Sequence, residues 1–74
     1  MVTIEVKKVE EQLNHRFLFS VHANANTNRM ELTIGIQDRG SAVANEAAVL
    51  TSTRAFADDF AAAARLRLGA GTRQ

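Results

Sequence analysis

Two histidines, an adjacent pair of aspartates and serines at 20, 41 and 52 are the side chains of this 74-residue chain that could act as general bases, metal ligands or nucleophiles. Their spacing does not assemble them. His15 shares parity with Phe17 and His22 shares it with Arg16, so along one strand the two rings point to opposite faces and cannot pair. A metal site would need further carboxylate ligands, and no spacing supplies them. Asp58 and Asp59 diverge by about 100° on a helix and do not share a proton. At a helix start they read as compensation of the helix dipole, which also argues against a phosphate site there. None of the serines sits in a nucleophile-elbow pattern, and Gly69-Ala70-Gly71 has neither a strand before it nor a helix after it. Cysteine is absent, so no disulfide, thiolate ligand or thiol nucleophile can contribute. The residues therefore predict a protein that is not an enzyme, with no catalytic residue, no metal and no cofactor.

Charge narrows the partners in the same direction. Nine basic and eight acidic residues leave a net charge of +1, and the two signs are interspersed, which gives no electrostatic reason to expect nucleic acid or an anionic membrane. No apolar run approaches the roughly 20 residues of a membrane span. The opening Met-Val-Thr-Ile-Glu-Val-Lys-Lys lacks a basic stretch followed by an apolar one, so a cytoplasmic location is expected. A sheet that stacks nucleic-acid bases needs outward aromatic residues, whereas this chain has no Tyr or Trp and its four Phe fall on predicted inner faces.

The elements that would position these side chains follow from periodicity. Val2, Ile4 and Val6 alternate with Thr3 and Glu5 as in a strand with one buried face, and the alternation slips near Lys8 because Val9 has the wrong parity, the mark of a bulge or a strand end. Glu10 to Asn14 then form a connection. A second strand runs from His15 to Ala23, with Phe17, Phe19, Val21 and Ala23 on one side. The Asn-rich segment 24–28 is a hairpin loop, Asn being tolerant of left-handed angles. Met30, Leu32, Ile34 and Ile36 give the third strand, closed by Asp38-Arg39-Gly40. The stretch from Ser41 to Thr51 supports either a short fourth strand over 47–51, the reading favoured here, or a helix beginning near Asn45. From Ser52 or Thr53, a hydroxyl cap, early aspartates, Arg65 and Arg67 in the last turn and Gly69 as a stop predict a helix to about residue 68.

The expected architecture is α+β: an antiparallel β-meander of three or four strands packed against one C-terminal helix, βββ(β)α, in a single domain over 1–68 with a flexible tail over 69–74. The Phe56, Phe60, Ala63, Ala64 stripe is expected to cover the sheet, so that truncating Phe19 or Phe60 to alanine costs about 3 to 5 kcal/mol. The element order resembles the later part of double-stranded-RNA-binding domains in topology only. Their first helix has no counterpart here, and Arg54 with two aspartates stands where their basic cluster lies.

The outer sheet face, polar and of mixed charge, is the expected binding surface, with Arg16, Leu18, His22, Thr33 and Gly35 as candidate residues. Leu18 is its one sizeable apolar side chain, and Gly35 leaves low ground for a close approach. So short a chain without disulfides buries a thin core, which favours self-association through a strand edge or an uncovered part of the helix and sheet. The expected function is a small non-enzymatic interaction or accessory protein, a homo-oligomer (dimer) or the companion of a protein partner. The second reading is a weak nucleic-acid-binding module using Lys7, Arg16, Arg39 and the Arg73 tail, marked by steep salt dependence.

Overall fold

The structure, a computed structural model, describes residues 1–72. Three antiparallel strands, β1 (Thr3–Gln12), β2 (Arg16–Ala25) and β3 (Asn28–Gln37), form one sheet in the order β1-β2-β3 and are followed by a single helix, α1 (Ala42–Thr72). The fold class expected from the alternation pattern is present, in its three-stranded form.

Register follows the apolar parity. Val6 pairs with Val21 and Val21 with Leu32, while Phe19 pairs with Ile34 and Phe17 with Ile36, so these side chains share the inner face. The slip near Lys8 is a bulge: the β1–β2 register shifts between Lys8 and Glu10, and pairing then resumes to Gln12. Glu10 to Gln12 therefore belong to the strand, and the connection shrinks to Leu13–His15, where Asn14 and His15 take positive φ of 64° and 59°. The β2–β3 hairpin is tighter than expected, with Ala25 opposite Asn28 and Asn26 at φ 55°.

The segment 41–51 is helix, not a fourth strand. Ser41 caps α1, its Oγ accepting the Ala44 N–H at 3.1 Å, and the Asn45 N–H reaches the Ser41 carbonyl at 2.9 Å. Asn45 is buried (7% exposed) and staples the turn that precedes the helix. Its Nδ2 donates to Asp38 Oδ1 at 3.1 Å and its Oδ1 accepts the Arg39 N–H at 2.7 Å. One turn on, Val49 is fully buried against Phe19, Val21 and Ile36, and Thr53 is half-buried on the same stripe. This 45/49/53 spacing is a helical face, and it overrides the β preference of Val49 and Thr51.

With the helix starting so early, Ser52 and Thr53 are interior residues. The Thr51 and Thr53 hydroxyls donate back to the carbonyls of Ala47 and Val49 at 2.9 and 2.8 Å, as hydroxyl side chains do inside a helix. Asp58 and Asp59 lie in mid-helix, where they have no helix start to compensate. Gly69 does not stop α1, which continues to Thr72; the left-handed glycine is Gly40, at φ 96° in the turn before the helix. Of the segment assigned from sequence to a tail, 69–72 is helical, and Arg73 and Gln74 lie outside the described residues.

The largest departure concerns what the helix covers. A ten-residue strand spans about 33 Å and a 31-residue helix about 46 Å. The helix packs along β3 through its first half and then runs past the end of the sheet. Phe56 and Phe60 stack on each other, ring centroids 6.3 Å apart, but stand 45% and 52% exposed and do not cover the sheet as expected.

Candidate functional site

The outer sheet face carries the candidate residues in one plane. His22 on β2 lies opposite Glu5 on β1 and Glu31 on β3, Ser20 opposite Lys7 and Thr33, and Leu18 opposite Gly35. Ser20 is buried beneath this row, its Oγ 2.9 Å from His22 Nε2 and donating to Glu31 Oε2 at 3.4 Å, while His22 Nε2 lies 3.5 Å from the same Glu31 oxygen. Serine, histidine and carboxylate thus converge, an arrangement the sequence reading did not assemble because it compared the histidines with each other. Cross-strand register was the missing signal.

The convergence is not a nucleophilic relay. Such a relay needs the serine on one ring nitrogen and the carboxylate on the other, so that the imidazole takes the hydroxyl proton while the acid orients it. Here both oxygens face Nε2. The Glu31 carboxylate stands beside that same nitrogen, so it does not orient the ring from the far side as a relay requires. Nor does the sheet surface wall off a cleft: His22 and Glu31 side chains are 40% and 65% exposed. Among the described residues no group of three or more His, Cys, Asp or Glu is placed to hold a metal ion.

Other expectations for this face change in detail. Leu18 lies over Gly35, its Cδ2 3.3 Å from where a Cβ would stand, with Arg16 Nη2 3.6 Å away. The low ground at Gly35 is filled from within the chain. Lys7 and Arg16 are four strand positions apart, about 13 Å. Arg39 sits in the β3–α1 turn, two residues beyond Gln37, the partner of Arg16, and Arg73 is outside the described residues. Lys8 is on the inner face, 4.6 Å above the Phe17 ring and paired with Glu11 at 3.2 Å.

The inner side holds a second, apolar surface that the sequence did not reveal. Where α1 leaves the sheet, a groove of about 430 Å³ opens between Thr53 and Ala57 on the helix and Ile4, Ala23 and Met30 on the strands, with Val2 just before β1. Phe56 and Phe60, both exposed, stand on the same stretch of helix as Ala57. Among the described residues no helix is long and apolar enough to cross a membrane. No protein family, curated sequence or solved structure matches the chain.

Proposed function

We propose that this chain is a small non-enzymatic interaction or accessory protein whose working form is a homodimer. One observation carries the reading: the folded chain exposes far more surface than its size warrants. A compact monomer of 8.1 kDa exposes about 4,500 Å², against 6102 Å² for this chain. The radius of gyration is 15.1 Å, where a compact chain of this length has about 11 Å. The surplus of about 1,600 Å² includes Phe56, Phe60, Ile4 and Met30, and about 800 Å² per partner is enough for a standard specific interface.

Pairing through the edge of β1 fits less well than the apolar face. The free edge of β1 carries a bulge and the charged run Lys7, Lys8, Glu10, Glu11, features that blunt an edge against pairing. Sedimentation velocity at micromolar concentration tests the proposal, with a dimer as the expected species. A strictly monomeric chain with a cooperative melt well above about 60 °C would need no partner and would refute it.

A further inference from the structure

We infer that the dimer forms by antiparallel pairing of the distal half of α1 with the same segment of a second copy, the twofold axis passing near Ala63. The inference rests on the self-association proposed above and specifies its surface.

Past the sheet, the face of α1 that buries Val49 continues at alternating spacings of four and three: Val49, Thr53, Phe56, Phe60, Ala63, Arg67, Ala70. The spacing is that of a heptad, with Phe56, Phe60, Ala63 and Ala70 as its apolar members beyond the sheet. The seam is committed to the sheet only as far as Thr53, and the residues from 54 to 68 are all exposed. Along this stripe the two large members, Phe56 and Phe60, precede the small Ala63 and Ala70, so in an antiparallel pair the phenylalanines of one helix lie toward the alanine end of the other.

Two further features select a second copy in antiparallel orientation. The first is charge. In a parallel in-register pair Asp59 would stand level with Asp59 and Arg67 with Arg67. Antiparallel pairing about Ala63 instead sets Asp59 of each copy level with Arg67 of the other, and Phe60 level with the exposed Leu66. The second is shape. Since the seam faces the side on which the sheet lies, a partner helix packed against it occupies the sheet's own layer, just beyond the strand ends. Its residues Leu66 to Ala70 then stand level with Phe60 to Phe56, at the open end of the groove lined by Ala57, Ile4, Ala23 and Met30. The same operation buries both copies' grooves and both projecting stripes, as a self-complementary twofold interface requires.

The chain has no cysteine, so single introduced thiols report proximity without background. Under mild oxidation Ala63→Cys is expected to yield a disulfide-linked dimer, whereas Lys7→Cys, on the outer face of β1, is not. Phe60→Asp, at a side chain already half-exposed in the single copy, is expected to weaken the dimer by about 100-fold or more, as loss of a central aromatic anchor does, with an unchanged circular dichroism spectrum. A dimer that cross-links through Lys7→Cys and not Ala63→Cys, or that survives Phe60→Asp, would overturn this surface and leave self-association standing. A monomer at all concentrations would overturn both.

Discussion

Asn45 shows how a single polar side chain can fix the entry to a helix. It is buried, and both ends of its amide are satisfied, by Asp38 and by the Arg39 N–H. Asn45→Ala removes both of these part-buried bonds together with the buried side chain and is expected to cost about 1 to 3 kcal/mol in urea denaturation. Thr51→Ala, which removes only an exposed back-bond, should stay within about 0.5 kcal/mol. Asp38 belongs to the same turn. Its carboxyl is held below the ordinary carboxylate range first by the Gly40 N–H, then by the Asn45 side chain. A group whose folded pKa is depressed stabilises fully above its unfolded value and loses that contribution as pH falls through the folded value. The Asp38 contribution is therefore present at neutral pH and fades below about pH 4. Replacing Asp38 with alanine should flatten the acid limb of the stability profile, and carboxyl NMR titration of the parent chain should find Asp38 titrating below its free-peptide value.

At the scale of elements, α1 is two helices in one. Its first half is held by the capped turn and by Val49, its second half by the propensity of an alanine-rich sequence. Val49→Ala is expected to cost about 2 kcal/mol or more, from lost burial and the cavity left behind. Phe60→Ala should cost under about 1 kcal/mol when measured at concentrations too low for association, because half of the ring is already in water. The order of these two losses, read from chemical denaturation, reverses the order that the helical stripe suggests from sequence.

For the whole molecule, protection of the distal helix is coupled to association. A helical segment that packs on nothing exchanges its amides readily, whereas one buried in an interface does not. Hydrogen exchange over 58–70 should slow as protein concentration rises, while exchange in β2 changes less. The thermal midpoint should climb with concentration as well, since a state that binds its own copy is stabilised by mass action. A midpoint and exchange pattern independent of concentration would mean that the exposed stripe has no partner in this chain.

The sequence by itself determined three strands, the parity of their buried faces, the slip near Lys8 and the turn at Asp38-Gly40, because each is written in neighbours two to four residues apart; that the slip is a bulge and not a strand end came from the pairing that resumes beyond it. It determined neither the start of α1 nor the exposure of Phe56 and Phe60. Residues 41–51 satisfy helix and strand preferences about equally, and the choice fell to long-range contacts: Val49 against Phe19, Val21 and Ile36, and Asn45 against Asp38. That early start carries the helix beyond a sheet only ten residues long, so side chains with the right periodicity for a core lie in solvent. The meeting of Ser20, His22 and Glu31 was equally invisible, since it depends on which residue of β3 stands beside which residue of β2. Periodicity tells a side chain which way to face; only the tertiary structure decides whether anything is there to meet it.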